Sequence, residues 1–99
     1  MNDVKVFKMI NGEEIIGELF NWKDGLYEVK NPAQIILQKT EKGMGVAIAP
    51  YMPYADGNVT LYSNAIAADC KPDVNLVNEY HKIFGSGIQI APASILATL

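Results

Sequence analysis

Cys70 and His81 are the only cysteine and the only histidine in the chain, so no intrachain disulfide, Cys-x-x-Cys redox pair or Cys/His zinc site can be built from one copy. Nothing beside Cys70 in sequence would activate its thiol, and it is expected to be a small buried hydrophobe. His81 has no serine, cysteine or metal partner at useful spacing and reads as a surface or boundary residue. Glu13 and Glu14 are neighbours, but adjacent residues on a strand point to opposite faces, so they make a poor acid–base pair and read as a solvated turn. Asp56-Gly57-Asn58 opens like a calcium loop but lacks the later ligands and the closing glutamate, which leaves a turn. Gly85-Ser86-Gly87 closes a helix instead of opening one and is no phosphate cradle. Asn58-Val59-Thr60 would accept a glycan only in a secreted chain. No catalytic set, metal site or cofactor site survives, so an enzyme is not expected.

Length and charge bound the rest. A chain of 99 residues fits one domain with one core, and at this size only roughly 60 to 65% of the unfolded surface is buried, so association would stabilise it. The balance is mildly acidic, 8 Lys+Arg against 11 Asp+Glu, and every basic residue is lysine. Without arginine there is no planar fork for phosphate or guanine, so any nucleic-acid contact must rest on stacking and neutral hydrogen bonds. Met1-Asn2-Asp3-Val4 has no basic segment leading into an apolar core, so no signal peptide is expected. The uncharged run from Ile83 to Leu99 is broken by Gly85, Gly87, Pro92 and Ser94 and falls short of the roughly 20 apolar residues a membrane span needs. A soluble protein of a reducing cytoplasm is expected.

The elements that would position any site are mostly strands. Val4–Ile10 alternates about two lysines, and Asn11-Gly12 then marks a hairpin in which both residues accept positive φ. In the second strand Ile15, Gly17 and Leu19 share one face and Ile16, Glu18 and Phe20 the other, with Gly17 permitting a bend. After the turn at Lys23-Asp24-Gly25, a long third strand runs through Leu26–Val29 and Ile35–Gln38, with Pro32 marking a bulge or a locally unpaired edge. Turns at 41–45 and 56–58 frame Val46–Ala49 and an extended Pro50–Tyr54 loop. Val59–Tyr62 continues as Ala65–Ala68 after a kink at Ser63-Asn64, which completes five strands. Asp73 caps a helix to about Phe84, with Val74, Val77, His81 and Phe84 at helical spacing and Gly85 as terminator. Residues 85–99 hold Ile88, Ile90, Ile95, Leu96 and Leu99 and are expected to pack on their own domain or a neighbour.

Met9-Ile10-Asn11-Gly12-Glu13-Glu14-Ile15-Ile16-Gly17-Glu18-Leu19 resembles the first motif of the Sm-like family, and Val59-Thr60-Leu61-Tyr62-Ser63-Asn64-Ala65-Ile66 resembles the second. Pro50-Tyr51-Met52-Pro53-Tyr54-Ala55-Asp56 with Phe84-Gly85-Ser86-Gly87-Ile88 is similar to a small group of phage-encoded Sm-like proteins. Together these cover roughly residues 4 to 90. The chain departs from the family in three places: its helix follows the sheet instead of preceding it, Lys23 and Tyr27 stand where an aspartate and an asparagine are usual, and Tyr62-Ser63 replaces an arginine-glycine pair.

The resemblance implies a mainly β domain spanning residues 1–99: a five-stranded, strongly bent antiparallel sheet or small open barrel over about 4–70, a helix over about 73–84 and the tail 85–99. It also implies a homo-oligomeric ring of roughly five to seven subunits, with strand four of one copy pairing strand five of the next. Tyr27, Tyr62, Ser63 and Asn64 would then face single-stranded RNA at the pore, the tyrosines stacking on bases at about 1 to 3 kcal/mol each and Asn64 reading a base edge. The two tyrosines also read as ordinary half-buried strand residues with a polar tip in water. The acidic charge favours a different role, a protein scaffold that meets a partner protein through the Pro50–Tyr54 loop and the apolar tail.

Overall fold

The computed structural model describes residues 3–84. It is a six-stranded antiparallel sheet with one helix: β1 (Asp3–Met9), β2 (Glu14–Lys23), β3 (Leu26–Thr40), β4 (Gly43–Pro50), β5 (Val59–Tyr62), β6 (Ile66–Cys70) and α1 (Val74–Phe84). The expected terminator Gly85 and the expected packing of the tail 85–99 lie outside the described residues.

The sheet runs β4-β3-β2-β1-β6, and β5 pairs the opening of β3. β2 holds Leu26 through Gln34 along one side of β3. β5 therefore takes the other side at Leu26–Val29, and β4 the same side from Ala33 to Thr40. Two strands thus share one position, and the sheet is five positions wide although six strands are counted. The sixth strand arises because the kink expected at Ser63-Asn64 is a full 3₁₀ turn, Ser63–Ala65, which divides one expected strand into β5 and β6. Among the described residues β4 and β6 do not pair, so the sheet is not closed into a barrel.

Gly17 sets the bend. Ile16 pairs Ala33 and Glu18 pairs Lys30, so Asn31 and Pro32 both stand opposite Gly17 as a bulge. Asn31 takes the left-handed φ of 52°, which asparagine tolerates, and Pro32 forfeits no ladder donor there. A side chain at position 17 would overlap Val29 Cγ1 and come within 3.3 Å of the Lys30 carbonyl oxygen and Pro32 Cα. Only glycine lets β2 and β3 approach so closely at this point.

The two faces of the bent sheet carry two cores. Phe7, Met9, Ile15, Val29, Val59 and Leu61 fill the inner one, with Leu19, Tyr27 and Tyr51 against it. Ile16 and Ala33 form the other with Tyr80 from α1, flanked by Val4, Val6, Ile35, Ile48, Leu76 and Phe84. Ile15 and Ile16 enter opposite cores because successive strand residues face opposite ways. The Asp73 side chain accepts the Leu76 N–H at 2.9 Å, so the expected cap is present.

Four local expectations are corrected. The hairpin at Asn11-Gly12 has positive φ at Gly12 alone; Gly12 N–H donates to the Met9 carbonyl at 2.9 Å, while the Asn11 side chain accepts the Glu13 N–H. Residues 51–54 form a compact turn, not an extended loop, with Met52 at φ 60° and the Ala55 N–H donating to its carbonyl. Of the helically spaced set, Val74 is exposed; the row packed on the sheet is Leu76, Tyr80 and Phe84, with Tyr80 buried, and His81 is exposed as expected. That row wins because Tyr80 alone can satisfy a polar tip on the bulge carbonyls while its ring fills the core. Cys70 is exposed, since it ends the edge strand β6.

Candidate nucleic-acid interface

The tight turn between β2 and β3 organises the candidate site. Asp24 and Gly25 both have left-handed φ, 53° and 79°, which closes the hairpin in two residues. The Gly25 carbonyl accepts the Ser63 N–H at 2.8 Å, and this bond ties the start of the 3₁₀ turn to the hairpin tip. A Cβ at position 25 would lie 2.9 Å from Ser63 Oγ, so the glycine also leaves room for the serine. Tyr62, Ser63 and Asn64 are consequently held beside Asp24-Gly25, all three exposed.

Tyr27 does not join them. It pairs Leu61, whereas Tyr62 pairs Leu26, so the two tyrosines project from opposite faces. The Tyr27 ring sits edge-on to Phe7 at 5.5 Å and tilted beside Trp22 at 5.9 Å, half-buried at the rim of the inner core. Trp22 is 60% exposed on that side. Tyr62 is 56% exposed on the other, with the partly exposed Leu26 across from it.

On the Tyr62 face a shallow hollow of about 430 Å³ is lined by Asn21, Lys23, Asp24, Leu26, Glu28 and Thr60. Lys23 is its only cation, set against two carboxylates, and Glu28 accepts a hydrogen bond from Asn58 Nδ2 at 3.1 Å. Phosphate would find little attraction here, while a base could stack on Tyr62 and meet the neutral groups of Asn21, Thr60, Ser63 and Asn64. Sequence reasoning missed Asn21 and Thr60. Counting the strand register outward from Asp24-Gly25 would have found Thr60, which pairs Glu28, and Asn21, which pairs the same residue from the other side.

Two tyrosines among the described residues have raised pKa values. Tyr51 donates to Glu13 Oε1 at 3.2 Å, and burial first, then the Glu13 charge, raise its pKa. The Tyr80 hydroxyl lies 2.8 Å from the Asn31 carbonyl oxygen and 3.1 Å from that of Lys30. Its pKa is pushed well above the ordinary tyrosine range, by burial first and by the Glu18 charge second. Both tyrosines therefore act as neutral structural donors. Among the described residues no three His, Cys, Asp or Glu side chains gather closely enough to hold a metal ion, and no helix is long and apolar enough to cross a membrane.

No protein-family model matches the chain, and no curated protein matches it.

Proposed function

We propose that this chain is a non-enzymatic, Sm-like module of the cytoplasm that assembles with copies of itself into a ring and binds single-stranded RNA through Tyr62, Ser63 and Asn64. The observation that carries the assembly is the pair of rims that have no strand partner among the described residues: β6 on one side of the sheet, β4 and β5 on the other. Unpaired strand rims present rows of free N–H and C=O groups, and a head-to-tail pairing of one rim with the other closes into a ring when the rotation between copies allows. The Gly17 bend supplies curvature.

For RNA, the support is the exposed Tyr62 ring next to Ser63 and Asn64 at the hairpin tip. Tyr27, on the opposite face, would stack on a base only through its exposed edge and is the weaker contact. Fluorescence titration with short oligouridine at two salt concentrations tests this reading. Binding at tens of micromolar, weakened at least about tenfold by Tyr62→Ala and little affected by salt, is the expected result. No binding in that range removes RNA from the account.

A second reading keeps the ring and replaces RNA by a partner protein. The formal charge of −3 and the carboxylates around Lys23 favour it. It predicts that oligouridine fails to bind while the assembly persists.

A further inference from the structure

We propose that the hollow between the opening of β1, the β6–α1 connection and α1 binds an acylated amino acid, free or at the C-terminus of a peptide, whose amide extends the β1 ladder and whose carboxylate meets Lys71 and His81. The hollow holds about 350 Å³ between β1 from Asp3 to Lys5, Lys71 and Pro72 of the connection, and Val77 and His81 of α1. That is near the lower end of small-molecule sites, roughly 300 to 1,000 Å³. Its back wall is a gap in the ladder. Successive residues of a strand direct their N–H and C=O to opposite sides. The Met9 N–H donates to the Glu13 carbonyl on the β2 side, so in the unbroken β1–β2 register Phe7, Lys5 and Asp3 also face β2, while Lys8, Val6 and Val4 face β6. Lys8 and Val6 meet Ala68 and Cys70 there. The same register continued would set Pro72 opposite Val4, and proline has no N–H to give. The chain turns off into α1, and no backbone group among the described residues meets the Val4 N–H or carbonyl on that side.

An antiparallel position of this kind exchanges both of its hydrogen bonds with one residue, so one amino acid with an acylated nitrogen fills it. The ligand's N–H would donate to the Val4 carbonyl, and one carboxylate oxygen would accept the Val4 N–H. Charge decides what the other oxygen meets. Lys5 is already paired with Asp69 at 2.7 Å, whereas Lys71 has no ion pair among the described residues. Lys71 and the His81 imidazole are left to face the ligand, with Asp3 as the opposing charge. A lining this close to neutral suits a single carboxylate better than a doubly charged phosphate. Val77 and His81 stand four apart on one helix face, and Val77 with the buried Pro72 offers apolar surface to an aliphatic side chain. The site begins where β6 pairing stops, so the outer rims of β6, β4 and β5 stay clear, and the inference rests on neither the ring nor RNA.

His81 is the only histidine, so its imidazole signal in an NMR spectrum identifies itself. The full chain at pH 7 is titrated with N-acetyl-leucine, with its C-terminal amide and with acetate, following the His81 imidazole and the Val4 amide. N-acetyl-leucine is expected to shift both saturably with a Kd of about 1 mM or tighter, and the other two, which lack the charge or the amide, to bind at least about tenfold more weakly. Lys71→Gln should weaken binding by at least about fivefold, while Lys82→Gln, whose lysine is paired with Glu79 outside the hollow, should leave it unchanged. No saturable shift below about 10 mM overturns the inference. So does an amide or acetate that binds as tightly as the acid, or a Lys71→Gln chain that binds like the native one. An acetylated dipeptide ending in leucine separates the two sources, each outcome upholding the site: equal or tighter binding marks a peptide terminus, and loss of binding marks a free acylated amino acid.

Discussion

Replacing Tyr80 by phenylalanine removes one oxygen atom from the junction of helix, bulge and sheet and leaves the ring in place. That oxygen lies 2.8 Å from the Asn31 carbonyl and 3.1 Å from the Lys30 carbonyl, at the bulge opposite Gly17, and the residue is only 1% exposed. The net value of one such hydrogen bond is about 1 kcal/mol, rising toward about 3 where the abandoned acceptors stay shielded from water. Tyr80→Phe should therefore cost about 1 to 3 kcal/mol at neutral pH, and Tyr80→Ala, which also empties the space under the helix, about 3 to 5. The pH dependence gives a second, independent signature. The folded state holds the Tyr80 proton more tightly than the unfolded chain, whose tyrosines ionise near 10. Its contribution to stability is thus complete below about pH 10 and is lost as pH rises from there toward the raised folded value, at about 1.4 kcal/mol per pH unit. Tyr51 is raised too and adds to the slope of the native protein, so the difference between native and Tyr80→Phe isolates Tyr80. Urea unfolding followed by circular dichroism at pH 7 and pH 11, at one fixed protein concentration, measures both quantities. A variant as stable as the native protein at pH 7, with the same alkaline loss, would refute the assigned role of the hydroxyl.

Three further outcomes follow from the same contacts. Gly17→Ala forces a methyl group against the stiff, fully buried Val29 and the bulge backbone and should cost about 1 to 3 kcal/mol in urea unfolding; an unchanged midpoint would mean the strands are not so close. Asp73→Ala removes the acceptor of the Leu76 N–H and should cost about 1 kcal/mol, with Asp73→Asn recovering most of it; equal losses for both would point to charge instead of the cap bond. Lys5→Met breaks the surface pair with Asp69, whose atoms are 2.7 Å apart but both partly exposed, and should change stability by less than about 1 kcal/mol; a larger loss would show that β1–β6 pairing depends on it.

Much of this architecture was legible because short-range chemistry dictated it. Gly17, Pro32 and Asp73 each had one physical reason to be where they are, and the bend, bulge and helix cap appear at those positions. Asp24-Gly25 likewise closes the expected turn. Legibility failed where the outcome depended on tertiary partners. Spacing alone could not choose between the set Val74, Val77, His81 and Phe84 and the row through Tyr80, because the choice rests on bulge carbonyls distant in sequence. Cys70 was misplaced for a similar reason: composition favours burial of a lone cysteine, but strand order puts β6 on the rim. At the candidate interface Ser63 and Asn64 stood out as a kink, yet only the register from the hairpin tip separates Tyr27 from Tyr62 by a whole sheet thickness.

The central claim is that the free rims of β6 and of β4 with β5 join successive copies into a closed ring, and native mass spectrometry of the full chain at micromolar concentration tests it most directly. The account predicts a single dominant homo-oligomer of roughly five to seven subunits that falls apart when a proline is placed at a β6 position whose N–H faces away from β1. A native chain that stays monomeric under these conditions would contradict it.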